Sequence, residues 1–200
     1  MIRFLSLAAI ILSMAAFAPS ADAGLIIFEA SLDGPSENPP VASPGTGLAT
    51  VIYDDLAHTL DVEVTFADLV GMTTVAHIHC CVAPPGAVGV ATFPGTFPGF
   101  PAGVTSGTYN SPLIDLTLTT SYTAAFLTNF GGGTVEGAEA ALISGMQAGN
   151  AYFNIHTSFA AGGEIRGFLR QVPEPGTLGV LALGMLSTLV ARRRRARARS

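Results

Sequence analysis

Thr59-Leu60-Asp61-Val62-Glu63-Val64-Thr65-Phe66 puts Leu60, Val62, Val64 and Phe66 on one side of an extended chain and Asp61, Glu63 and Thr65 on the other. Successive side chains of a strand point to opposite faces, so this is a strand with one buried and one wet face. Just upstream, Leu48-Ala49-Thr50-Val51-Ile52-Tyr53 is a second run of period two. The polar link Asp54-Asp55-Leu56-Ala57-His58 predicts that the two runs close as a hairpin, with His58 solvated in its turn.

Working outward, residues 28–32 read as a short extended stretch ended by the turn signal Asp33-Gly34-Pro35. Residues 36–45 carry Pro39, Pro40 and Pro44 and read as a loop, and residues 75–81 as a third strand. Residues 82–112 form a long Pro/Gly-rich segment holding Phe93, Phe97, Phe100 and Tyr109. Loops of this length are either functional or packed by their own side chains, and four aromatics predict self-packing. Residues 113–118 read as another strand. A helix over 121–129 is expected to start at Thr120 or Ser121 and to end at Gly131-Gly132-Gly133. A second, over 135–147, has Thr134 as its N-cap and Gly149 as its close. The last strands are 151–157 and 164–170, joined by a turn containing Gly162-Gly163. Six or seven short strands with two short helices make the chain mainly β, an antiparallel sandwich or barrel-like domain over residues 24–171.

Charge is distributed unevenly. Residues 24–171 hold two arginines, Arg166 and Arg170, against twelve acids, a net charge of −10, and there is no lysine. Such a domain repels a polyphosphate, which excludes nucleic acid as a partner. No Walker loop, GxGxxG or HExxH is present. The serines lack a G-x-S-x-G setting, and no carboxylate pair is marked as acid and base, so the domain reads as non-catalytic.

The two ends read as addresses. Arg3, an apolar stretch over 5–18 and Ala21-Asp22-Ala23 have the order of a secretory signal peptide, residues 1–23, with cleavage between Ala23 and Gly24 by the export machinery. At the other end, residues 172–200 begin with Val172-Pro173-Glu174-Pro175 and continue as the apolar run LGVLALGMLSTLVA over 178–191. Arg192, Arg193, Arg194 and Arg195 follow as a membrane stop. Fourteen helical residues span about 21 Å, a marginal crossing of a ~30 Å hydrocarbon core. The arginines keep that end cytoplasmic and leave the domain outside the inner membrane. Pro173-Glu174-Pro175, the apolar run and the basic end together resemble the PEP-CTERM sorting signal of Gram-negative bacteria. That resemblance implies transient anchoring in the inner membrane and processing by an exosortase-type enzyme, then delivery to the envelope or extracellular matrix.

The domain itself carries six short motifs in order: Glu37-Asn38-Pro39-Pro40-Val41, Gly45-Thr46-Gly47, Ala76-His77-Ile78-His79, Gly103-Val104-Thr105-Ser106-Gly107-Thr108-Tyr109, Tyr152-Phe153-Asn154-Ile155-His156-Thr157 and Gly163-Glu164-Ile165-Arg166-Gly167. Together they resemble the CHRD domain, named from chordin and common in exported bacterial proteins. The resemblance implies an extracellular β-rich module, with no established reaction in bacterial members; the expected role is binding or structural, with a matrix or surface polymer as a candidate partner. Many members have Gly after the His-Ile-His motif, where this chain has Cys80-Cys81.

Three groups of residues are candidates for chemistry. His77 and His79 lie at i and i+2 of one strand and share a face, and His156 shares a face of another with Asn154 and Tyr152. If the fold joins those faces, the imidazoles suit copper or zinc, and they equally suit hydrogen bonds that fix strand ends. A His-x-His pair on a β-sandwich invites comparison with copper–zinc superoxide dismutases, an analogy of fold alone. Glu164 and Arg166 share a face of the last strand and are expected to form a structural ion pair. Cys80 and Cys81, in an oxidising compartment, leave open a vicinal disulfide, free thiols, or metal and intermolecular bonding. Alternation would put Cys81 on the face of His77 and His79.

Overall fold

A computed structural model of the chain describes residues 24–173. Residues 1–23, read above as a signal peptide, and Glu174, Pro175, the apolar run and the arginine cluster lie outside the described residues. Among the described residues, no helix is long and apolar enough to cross a membrane.

The chain runs through β1 (Leu25–Asp33), β2 (Thr46–Asp54), β3 (Thr59–Ala67), β4 (Thr73–Cys80), β5 (Gly107–Asn110), β6 (Ile114–Asp115), α1 (Ala124–Asn129), α2 (Val135–Gln147), β7 (Ala151–Thr157), β8 (Ile165–Phe168) and β9 (Arg170–Gln171). These strands form one curled antiparallel sheet in the order β4-β7-β8-β1-β2-β3-β5, with β6 beside β3 and β9 beside β1. The mainly antiparallel β reading with two helices therefore holds, and the sheet curls on itself in the manner of a half-barrel.

The expected hairpin is β2–β3, paired from Thr46 opposite Ala67 to Asp54 opposite Thr59. Leu60, Val62, Val64 and Phe66 are buried, while Glu63 and Thr65 are exposed. Phe28, Ala30 and Leu32 continue that apolar face on β1, and Ala76, Ile78, Phe153, Ile155 and Ile165 continue it on the far strands. Burying each large apolar side chain contributes about 1.5–3 kcal/mol, so this shared face carries the fold. Phe126 of α1 and Leu142 and Met146 of α2 pack onto it. Thr134 caps α2 by accepting from the Gly137 N–H.

Three expectations of secondary structure are corrected. The 82–112 segment contains β5, which pairs with β3 from Glu63–Asn110 to Phe66–Gly107. Residues 113–118 shrink to the two-residue β6, because Asp115 Oδ1 accepts from both the N–H and the hydroxyl of Thr117 and turns the chain out of register. The helix expected from 121 begins at Ala124, with Thr123 as the N-cap that accepts from Phe126 N–H.

The long loop packs through its own aromatics. Phe97 is fully buried, stacked on Phe153 and edge-on to Phe93, and Phe100 and Tyr109 pack together. Its backbone runs along the outer edge of β4. Ala91 N–H donates to Ile78 O, Phe97 N–H to Ala76 O, Ala76 N–H to Thr96 Oγ1 and Ile78 N–H to Thr92 Oγ1.

Candidate functional site

Every residue of β7 is buried, although Tyr152, Asn154 and His156 alternate with Phe153 and Ile155. The strand therefore has two covered faces, one apolar and one polar. Register defines the polar face. His77 of β4, Asn154 of β7 and Arg166 of β8 stand in one row, and His79, Tyr152 and Phe168 stand in the next. His156 lies one row further, opposite Val75. Backbone from the 36–45 loop, the 82–95 loop and the 158–163 turn covers this layer, as the hydrogen bonds below record.

The fold thus gathers His77, His79 and His156 into one cluster, with one ring nitrogen from each lying within 4.8 Å of the others. The three rings pack edge-on or tilted, with centroids 5.2 to 5.8 Å apart. Each ring is fixed from behind by a carbonyl. His77 Nε2 meets Gly95 O at 2.6 Å, His79 Nδ1 meets Val88 O at 2.8 Å and His156 Nδ1 meets Ala161 O at 2.9 Å. A carbonyl only accepts, so these nitrogens carry the protons and the other three, His77 Nδ1, His79 Nε2 and His156 Nε2, present lone pairs. Those three atoms are buried and have no partner within the described residues. Burial pushes all three imidazoles below their ordinary pKa, His79 to about 4, which keeps them neutral.

The surroundings hold this arrangement. Tyr152 stacks on His79 at 4.8 Å, and its hydroxyl both donates to Val88 O and accepts from Val88 N–H, gripping the residue that orients His79. The Arg166 guanidinium lies 4.6 Å over the other partner in that stack, the Tyr152 ring. Arg166 is almost completely buried and donates to Ser36 O at 2.5 Å and Pro85 O at 2.8 Å.

Arg166 does not pair with Glu164. Its acid is Glu37, with Nε 3.7 Å from Oε2. Glu164 stands just before β8, which begins at Ile165, and each of the two side chains finds closer partners elsewhere. Glu164 instead accepts four hydrogen bonds, from Ser43 Oγ, Val70 N–H, Gly71 N–H and Thr157 Oγ1. Burial alone would raise its pKa; the four donors outweigh that and hold it below the ordinary value. Burial pushes the Glu37 carboxyl up to about 7 against the pull of Arg166.

Sequence reasoning found the three histidines but not Glu37 as the partner of Arg166. The signal was an acid standing in the polar, proline-rich Glu37-Asn38-Pro39-Pro40 stretch. The carbonyls of Val88, Gly95 and Ala161 leave no signal at all, since any residue supplies one. Cys81 is not on the imidazole face. Cys80 and Cys81 are joined to each other across a cis peptide, and their sulfurs turn to α2, against Ala141 O and Gly145. His58 sits in its turn half exposed, with Nδ1 held by Glu139 at 2.8 Å, and Glu139 also accepts from Tyr53 OH.

An exported module of this build is what comparison with known families returns. The CHRD domain model matches residues 28–169, and the chain belongs to that family. The PEP-CTERM protein-sorting motif matches residues 171–195, which makes the chain an exosortase-sorted extracellular protein and gives it an exosortase-type enzyme as partner. No curated protein and no solved structure matches it.

Proposed function

We propose that the domain, once exported, binds a late transition metal ion, copper or zinc, through His77, His79 and His156. The carrying observation is that one ring nitrogen of each histidine lies within 4.8 Å of the others, while His77 Nδ1, His79 Nε2 and His156 Nε2 are buried without a partner among the described residues and a carbonyl fixes the other nitrogen of each ring. Backbone carbonyls behind metal-bound histidines are the usual means of setting tautomer and orientation. Three points within 4.8 Å of one another share a centre no more than about 2.8 Å from each. Bonds of about 2.0–2.1 Å then require inward shifts of under about 1 Å. Neutral imidazole favours copper and zinc over magnesium or calcium.

The role is one of binding, in the envelope or matrix, after release from a transient inner-membrane anchor. Stoichiometric copper or zinc in the exported protein, lost in His79→Ala with the fold retained, is the expected result. If no metal is retained after loading, the histidines serve only to hold their loops and the domain binds a surface polymer or acts structurally. The anchoring step is tested by fusing residues 172–200 to a neutral reporter. Membrane retention followed by release only in a host with an exosortase is expected, and an unchanged fate would sink that part.

A further inference from the structure

We infer that the metal keeps a fourth, exchangeable ligand, a small neutral molecule that donates hydrogen bonds, and that this ligand sits against Glu37 and Asn154. The inference rests on the metal reading above. Among the described residues, six buried side-chain oxygen or nitrogen atoms have no hydrogen-bond partner. Five of the six belong to this one polar layer: the three imidazole nitrogens, Glu37 Oε1 and Asn154 Oδ1. Buried polar atoms are almost always paired, so such a concentration marks a place built for something that is not part of the chain.

The three nitrogens and the two oxygens ask for different things. The nitrogens are donors of electron pairs to a cation. The oxygens are hydrogen-bond acceptors, so whatever meets them carries protons. Asn154 links the two sets, being the cross-strand neighbour of His77 and two residues from His156 on β7. Glu37 Oε1 is beside Asn154, because both lie against the same point, the place a Cβ on Gly163 would occupy. That glycine adopts φ +127°, a conformation side chains rarely take, two residues after Ala161, whose carbonyl holds His156. A Cβ there would stand against the Asn154 amide and Glu37 Oε1, so any side chain would collide with both.

The histidines form a group of three, with no fourth His, Cys, Asp or Glu in it. Three protein ligands plus one open position is the arrangement of a site that exchanges a ligand, in contrast to closed four-ligand structural sites. Beside the Asn154 NH2, a molecule bound there meets two unpaired acceptors, Glu37 Oε1 and Asn154 Oδ1. Water, ammonia, an amine or an alcohol satisfies them, whereas an anion with no proton to donate is repelled by the Glu37 carboxylate. Arg166 holds the other carboxylate oxygen of Glu37 and so fixes which oxygen faces the site.

The test uses the exported protein loaded with Cu(II) at about pH 8, where Glu37 is ionised. Pulsed EPR reports the imidazole nitrogens and, after transfer to D2O, any exchangeable deuterons on a copper ligand. Three coupled imidazoles with a deuterated ligand are expected. Azide titration is expected to show weak binding to the native protein and binding on the order of tenfold tighter to Glu37→Gln, since one facing charge is removed while the shape is kept. Copper without three imidazole couplings would overturn the metal reading itself. Three imidazoles with no exchangeable deuteron would leave that reading standing and overturn the fourth ligand. Equal azide affinity in native protein and Glu37→Gln would overturn the placement of that ligand against Glu37. The deuteron measurement needs no variant, so it decides even if Glu37→Gln fails to fold.

Discussion

Glu164→Gln tests how the domain braces the end of its polar layer. Glu164 is fully buried. Its Oε1 accepts from Ser43 Oγ and Val70 N–H, both at 2.6 Å, and its Oε2 accepts from Gly71 N–H at 3.0 Å and Thr157 Oγ1 at 2.6 Å. Glutamine keeps the shape but turns one acceptor into a donor. In either orientation the new NH2 faces a backbone N–H, which cannot accept, and a hydroxyl, of which Ser43 Oγ can rotate and accept while Thr157 Oγ1 already accepts from Phe159 N–H and Ala160 N–H. An orphaned buried N–H costs about 1–3 kcal/mol, and demoting the surviving charge-assisted bonds to neutral ones costs about 1 kcal/mol each. The total is about 3–5 kcal/mol, a large part of the ~5–15 kcal/mol that holds a domain together. Urea unfolding followed by circular dichroism measures it. The pH dependence has a definite sign. The folded carboxyl lies below its ordinary value of 4.5, so its contribution is present above that value and is lost as the pH falls through the folded one. The gap between native protein and variant should therefore narrow in acid. A loss of under about 1 kcal/mol at neutral pH, or a gap of constant width into acid, refutes the reasoning.

Two further outcomes follow from contacts away from the site. The hydrogen bond to Glu139 favours the His58 imidazolium and raises its pKa above 6.5, with Asp55 and Asp115 acting in the same sense. The stabilisation is present at low pH and fades as the pH rises through the raised value. Glu139→Gln should lower the His58 midpoint in an NMR titration, and an unmoved midpoint would contradict the contact. Gly145→Ala adds a Cβ that collides with Cys80 Sγ and stands 2.7 Å from Cys81 Sγ. Overpacking of about 1–3 kcal/mol outweighs the ~1 kcal/mol gain in helix propensity, so the melting temperature should drop. A rise would mean that α2 does not rest on the disulfide.

What the sequence disclosed follows from which partner a residue faces. β2 and β3 were legible because one side meets apolar core and the other meets water, which writes the period directly into residue types. α2 was legible through Thr134 at its start and Gly149 at its close. β4 and β7 were legible as strands, but their residue types did not say what covers their polar face. It is buried because loops cover it, and those loops act through backbone carbonyls that any sequence could offer. The histidines could be named as a group, while Glu37, whose separation from Arg166 is 129 positions, could not be tied to them by spacing. β5 was hidden among Pro and Gly, since its four residues gain their order from β3 rather than from their own pattern.

The path of residues 91–97 along β4 has a consequence for life outside the cell. β4 is a rim of the sheet, and a bare rim offers a row of amides to any neighbouring chain. Here Ala91, Thr92, Thr96 and Phe97 of the same molecule already occupy that row. Many copies can then crowd together outside the cell, beyond the reach of cytosolic chaperones, without zipping strand to strand through this rim into fibres.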